Sequence, residues 1–270
     1  MKEIEPMEQA MLMLLPDWGA PDWVRAFSTT RGGGLSSGPW GLADGASGGL
    51  NLGMGCGDDP AAVAANRARL RRFLPSAPVW LRQVHGCDVL HVERSPDGDC
   101  VPPVADAMVS DRPACVLAIQ TADCLPVLFA DSRRRVVGAA HAGWRGLAGG
   151  VLEATVESML ALGASPASLH AWIGPGIGPD AFEVGDDVRQ AFVGRDPGAA
   201  VHFRPRAGMP GKWLADLPSL AMHRLVAAGV SAIVPSGLCT VADPARFYSY
   251  RRDGQCGRMA SLIWLAPARA

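Results

Sequence analysis

Three short apolar runs, residues 114–119, 125–130 and 135–140, follow one another with only turn residues between them. Each is too short for a typical helix and too continuously apolar for a half-exposed strand, so each reads as a strand with buried faces. From Gly146 the period changes. Leu147, Ala148, Val151, Leu152, Thr155, Val156, Met159 and Leu160 recur at spacings of three and four, and Gly163 follows as a stop signal. This predicts one amphipathic helix beginning just after Trp144-Arg145. Buried strands feeding an amphipathic helix confine the chain to a layered α/β or α+β fold.

The remainder is consistent with that class. Residues 24–29 alternate as a strand, and 58–74 read as a helix capped at Asp58-Asp59-Pro60 with Val63, Leu70 and Leu74 on one face. Residues 32–57 hold eleven of the 32 glycines, which predicts a folded loop rather than a regular element. Strands are expected over 79–85, with His85 at the strand end, and over 89–93, with Gly86 between them and a Pro/Gly/Asp connector over 95–104. Further on come a strand at 169–173, a turn at 174–179, helices at 182–192 and 217–228, an extended segment at 231–234 and a last strand at 260–265. No short repeat and no clean linker divides the chain. Residues 1–24 are read as an N-terminal arm and 25–270 as a single domain. Met11-Leu12-Met13-Leu14-Leu15 is apolar but far shorter than the ~20 residues of a membrane span.

Composition narrows the function. With 49% hydrophobic and 19% charged residues the chain lies outside the disordered class. Its 25 Lys and Arg against 26 Asp and Glu leave a net charge of −1, which provides no polycationic field for nucleic acid or anionic membrane. The seven cysteines are odd in number and form no CxxC pair, which points to reduced thiols and a cytoplasmic location.

Three soft donors stand in the most ordered stretch: His85, Cys124 and His141, the last where a strand meets a helix. Two imidazoles and a thiolate suit Zn²⁺, and three protein ligands leave a fourth position open. The spacing fits no short zinc motif, and two other readings stand beside this one. Cys124 and His141 also suit a thiol nucleophile and its base, with Asp123 or Asp106 orienting the imidazole. Alternatively Cys124 is a plain buried thiol and the histidines are satisfied core residues. Arg145, at a predicted helix start, and Arg31 and Arg251 are candidate anion ligands.

Other motifs carry less. Gly45-Ala46-Ser47-Gly48-Gly49 matches a nucleophile elbow without the flanking strand and helix. His91-Val92-Glu93 lacks the Pro-Cys-x-x-Cys of a nucleobase deaminase. The clusters at 53–57 and 174–178 lack dinucleotide-loop spacing.

Arg82-Gln83-Val84-His85-Gly86, Thr121-Ala122-Asp123-Cys124-Leu125-Pro126, Ala139-Ala140-His141-Ala142-Gly143-Trp144-Arg145-Gly146, Gly174-Pro175-Gly176-Ile177-Gly178 and Tyr248-Ser249-Tyr250-Arg251-Arg252-Asp253 together resemble the YfiH or laccase-domain family. With Thr30-Arg31-Gly32-Gly33 and Asn51-Leu52-Gly53, the resemblance runs from about Phe27 to Trp264. It implies a single α/β (α+β) domain with mixed β-sheets flanked by helices, and a zinc site on His85, Cys124 and His141. It also implies purine nucleoside phosphorylase activity toward adenosine, inosine and methylthioadenosine, accompanied by adenosine deamination. On this basis Cys124, His141 and Asp123 are assigned as catalytic, and Arg31, Asn51, Gln83, Arg145 and Arg251 as contacts to nucleoside or phosphate. In Gly254-Gln255-Cys256-Gly257-Arg258 the family more often has Thr before the Gly-Arg pair.

Some relatives are described as peptidoglycan editing factors, so hydrolysis of a cell-wall precursor through the Cys/His pair or the metal is the alternative. The family's older name invokes copper-dependent polyphenol oxidation. Six histidines and no His-x-His do not furnish a multicopper cluster, although Cu²⁺ suits the same three ligands.

Overall fold

The computed structural model describes residues 11–96 and 101–267. Two mixed sheets stack face to face. In the first, the strand order is Met13–Leu14, Val24–Thr29, Met259–Leu265, Val116–Thr121, Pro78–Val79, antiparallel except for the last pair. In the second it is Ala232–Pro235, Leu169–Ile173, Leu125–Asp131, Val137–Ala142, Ala107–Ser110, Val89–His91, parallel only at its two edges. A small third sheet joins Glu183–Gly185, Lys212–Ala215 and Phe203–Pro205.

Alternation along each strand builds the layers. On Leu125–Asp131, Leu128 and Ala130 enter the layer between the sheets, where they meet Leu117, Ile119 and Ile263. Val127 and Phe129 point the other way, toward Val151 and Leu152 of helix Val151–Ala161 and Leu220 and Leu225 of helix Leu217–Ala227. The outer face of the first sheet packs Phe27, Val116, Ala118 and Leu262 against Leu70 of helix Pro60–Arg71. Helices therefore cover both outer faces, the expected mixed-sheet α/β architecture. Central strands buried on both sides are continuously apolar for this reason.

The three apolar runs are strands, but they divide between the sheets. Val116–Thr121 belongs to the first sheet and Leu125–Asp131 and Val137–Ala142 to the second, so residues 122–124 carry the chain from one to the other.

Other expectations need correction. The single helix from 146 is two, Trp144–Gly149 and Val151–Ala161, because Gly150 takes φ 109°, a left-handed conformation that ends the hydrogen-bond ladder. The loop expected over 32–57 contains a strand, Gly32–Ser36. There a Cβ on Gly34 would lie 2.2 Å from the Gly49 carbonyl, so glycine permits a close strand-to-backbone approach that composition alone reads as a folded loop. The strand expected over 79–85 stops at Val79, and 182–192 splits into strand Glu183–Gly185 and helix Asp186–Val193. In the N-terminal segment Met13–Leu14 pairs with Ser28 and Thr29, and Met11 and Met13 pack against the Phe27 cluster. Residues 97–100 of the expected connector lie outside the described residues.

Candidate metal centre and its cavity

Strand pairing and the crossing between sheets bring the soft donors together. His141 lies near the end of Val137–Ala142, directly opposite Pro126, and Cys124 stands just before the partner strand begins. His85 is in a loop rather than at a strand end, with φ 61°, in the left-handed region. Their donor atoms all lie within 4.8 Å of one another, and Cys124 Sγ is 3.7 Å from His85 Nε2. Bonds of ~2.0–2.3 Å at tetrahedral angles separate donor atoms by roughly 3.3–3.8 Å, so this donor set fits one metal ion with small side-chain rotations. Gly143 keeps the space clear: a Cβ there would stand 2.7 Å from the His85 ring and 2.9 Å from Cys124 Sγ.

One carboxylate organises two of the three donors. Asp106 has no exposed surface. Its Oδ1 accepts from His141 Nδ1 at 2.8 Å and from the His85 backbone N–H at 2.9 Å, and Oδ2 accepts from the N–H groups of Val84 at 3.1 Å and Gly86 at 2.7 Å. The first bond places a proton on Nδ1 of His141 and turns Nε2 toward Cys124. The others hold the 84–86 loop in the conformation that presents His85. Burial raises the Asp106 carboxyl, but these hydrogen bonds and the His141 charge bring it below its ordinary value. Of the two orienting carboxylates considered from sequence, the one that touches the imidazole is Asp106.

Cys124 and His141 polarise each other. Burial alone would raise the thiol, but the charge and hydrogen bond of His141, followed by those of His85, bring it down to about 6. Burial would lower His141, yet the Cys124 thiolate and the Asp106 hydrogen bond raise it to about 9. Both shifts draw the metal-free pair toward a thiolate and an imidazolium. Such a pair binds a divalent ion with release of the imidazole proton.

The centre opens into a cavity of about 540 Å³. Trp144, Phe182 and Tyr250 give it aromatic walls, and Arg145, Arg251 and Arg258 line it with guanidinium groups. Arg145 is exposed, with its Cζ 4.6 Å from the Trp144 ring centroid, and among the described residues it forms no ion pair. Glu183 and Asp123 are engaged elsewhere. Glu183 pairs with Arg206 at 3.2 Å, and Asp123 accepts from Thr240 Oγ1 and from the Arg251 backbone N–H, both at 2.6 Å. Asp123 has φ 100° and is anchored to the segment that carries Arg251, not to His141. Arg251 extends over Phe182 and donates to the Glu183 carbonyl at 2.8 Å.

Gln83 also lines the cavity, and its amide exchanges two hydrogen bonds with the backbone of Gln120, at 2.8 and 2.9 Å. Arg31 and Asn51 do not reach the wall. Arg31 is buried, donating to the Gly41 carbonyl at 2.8 Å and lying over Tyr248. Asn51 Oδ1 accepts from the N–H groups of Gly53 and Arg258, both at 2.9 Å, and so supports the wall from behind. Sequence reasoning missed Arg258 and Gln120 as wall residues. Arg258 belongs to the loop that departs from the family pattern, and its proximity to Arg251 in the chain was the available signal.

Residues 25–266 match the family described as multi-copper polyphenol oxidoreductase laccase. The chain is similar to "Purine nucleoside phosphorylase PA4543" of Pseudomonas aeruginosa, 51% identical over 93% of this chain and 98% of that protein. It is 47% identical to "Purine nucleoside phosphorylase YfiH" of Escherichia coli, over 94% and 98% respectively. Among solved structures, Neisseria meningitidis protein NMB0706 superposes with a TM-score of 0.85 at 42% identity, over 96% of this chain and all of that one.

Proposed function

The chain belongs to the multi-copper polyphenol oxidoreductase laccase family, the YfiH proteins, and from that premise we propose that it is a purine nucleoside phosphorylase with a zinc centre at His85, Cys124 and His141. The observation that carries this reading is a donor triad opening onto an aromatic-walled cavity lined by Arg145, which forms no ion pair among the described residues. A volume near 540 Å³ falls within the ~300–1,000 Å³ of small-molecule sites, a size that suits a nucleoside.

Phosphorolysis joins a phosphate oxygen to the anomeric carbon as the glycosidic bond breaks, with the bonding pair leaving on the purine. Arg145 holds the phosphate through charge-assisted hydrogen bonds, and Arg251, fixed through Asp123, adds positive charge on the same cavity. Trp144, Phe182 and Tyr250 exclude water and stack on the flat base. Gln83 acts as a positioning residue by tying the His85 loop to the Gln120 strand. Zinc, when bound, supplies Lewis-acid charge at the cavity floor, which also suits deamination of adenosine. Cys124 and His141 serve as its ligands, with the His141 proton kept at Nδ1 by Asp106.

The substrates proposed are adenosine, inosine and methylthioadenosine. A multicopper phenol oxidase needs a His₂Cys blue site and a separate His-rich cluster. One three-donor cluster is found among the described residues. A cytoplasmic location is supported by the six cysteines of the described residues, all free thiols. No helix among these residues is long and apolar enough to cross a membrane.

Metal-quantified protein incubated with adenosine, with and without phosphate, tests the reading. Adenine that appears only with phosphate supports it. Products confined to inosine indicate a deaminase alone, and phenol turnover that outpaces nucleoside turnover contradicts the assignment.

A further inference from the structure

Two more of the six histidines meet away from the catalytic cavity. His223 stands on helix Leu217–Ala227 and His202 ends the 3₁₀ turn Pro197–His202, with His223 Nδ1 3.3 Å from His202 Nε2. Asp196 caps the turn: its Oδ1 accepts from the Gly198 N–H at 2.8 Å, and its Oδ2 lies 2.7 Å from His223 Nε2. The carboxylate fixes the tautomer, because the proton it receives must sit on Nε2. That leaves a lone pair on Nδ1 facing His202.

The geometry of this pair is that of two ligands. At 3.3 Å the two nitrogens share a long hydrogen bond, and the shared proton sits where an ion would bind. Two imidazole nitrogens bound at ~2.0–2.1 Å to one tetrahedral ion stand about 3.3–3.4 Å apart. The ring planes are inclined at 81° with centroids 5.3 Å apart, so the rings approach by their nitrogen edges rather than as stacked faces. A carboxylate behind one ligating imidazole is the arrangement that orients metal-binding histidines and raises their basicity. Burial lowers His202 below its ordinary value and favours its neutral, ligating form. A cavity of about 410 Å³ adjoins both rings, lined by Met222, Val226 and Ala227, with room for the exchangeable ligands that two protein donors leave unfilled.

We propose that His202 and His223, oriented by Asp196, form a second and exchangeable binding site for a divalent ion of the zinc, nickel or copper class. An all-imidazole donor pair selects these ions over Mg²⁺ and Ca²⁺, which prefer oxygen ligands. The bound ion links the helix to the turn that precedes it. This site stands independently of the nucleoside reading, since none of its residues lines the catalytic cavity.

Calorimetric titration of Zn²⁺ into the full-length protein, with Ni²⁺ as a second probe, tests the proposal. The expected result is an ion per chain that is retained in Cys124→Ala, lost in His202→Ala and in His223→Ala, and weakened tenfold or more in Asp196→Asn. Melting temperatures measured on the same preparations verify folding, and His202→Gln provides a second variant of similar shape. Unchanged binding in folded His223→Ala and His202→Gln, or no ion bound by Cys124→Ala, overturns the assignment.

Discussion

His141 Nδ1 stands 2.8 Å from Asp106 Oδ1, and the same oxygen receives the His85 backbone N–H at 2.9 Å. Two members of the candidate metal cluster, from distant parts of the chain, thus answer to one buried carboxylate. Asp106→Asn replaces one acceptor oxygen by an NH₂ group that faces N–H donors. Zinc affinity is expected to fall about 10- to 100-fold by chelator competition. Unchanged affinity would remove Asp106 from the centre.

The candidate metal cluster is legible in the sequence as three soft donors beside apolar strands, and the resemblance to the family selects the metal reading among the alternatives. The role of Asp106 is not, because its value arises only when the 84–86 loop folds over it. Arg31 and Asn51 illustrate the converse: both lie in recognisable motifs, yet their polar groups are engaged behind the cavity, Arg31 by the Gly41 carbonyl and Asp253, Asn51 by Asp58 and the Gly53 N–H. The break at Gly150 was hidden by an apolar periodicity that continues across it.

The metal-free pair has a defined pH response. A thiol lowered from 9.0 to about 6 contributes stability above its unfolded value that is lost as pH falls through about 6. His141, raised from 6.5 to about 9, contributes stability that is complete below 6.5 and lost as pH rises through about 9. After zinc removal, alkylation of Cys124 is expected to titrate near pH 6, and added zinc to protect the thiol. A midpoint near the ordinary thiol value of ~8.5 would contradict the thiolate–imidazolium pair.

Arg145→Ala is expected to lower kcat/KM for phosphate by about 10- to 100-fold, corresponding to the ~1.5–3 kcal/mol of hydrogen bonds to a charged group. Zinc content and melting temperature should stay at wild-type levels, because Arg145 holds no ion pair among the described residues. Lysine should restore little, since it keeps the charge and loses the planar fork. Parallel loss of zinc and stability would mark Arg145 as a brace.

Asp131 offers a test of the scaffold. This fully buried carboxylate accepts from the N–H groups of Arg133, Arg134 and Ser165 and from Ser168 Oγ, at 2.6–2.9 Å. Burial raises its carboxyl, but these bonds, led by Ser168, bring it below the ordinary value. Its stabilisation is present above the unfolded value of ~3.9 and lost as pH falls through the lower folded one. Asp131→Asn should cost about 1–3 kcal/mol in urea denaturation at neutral pH, with the gap from wild type narrowing below about pH 4. A gap that widens in acid would reverse the sign of this argument.

The most direct test of the central claim is phosphorus NMR of zinc-loaded protein with inosine and inorganic phosphate. The phosphate resonance should give way to that of a ribose 1-phosphate ester in step with hypoxanthine release, and Cys124→Ala should abolish the ester resonance and the hypoxanthine while inorganic phosphate persists. Hypoxanthine formed while inorganic phosphate remains constant would identify water as the nucleophile and contradict the phosphorylase assignment.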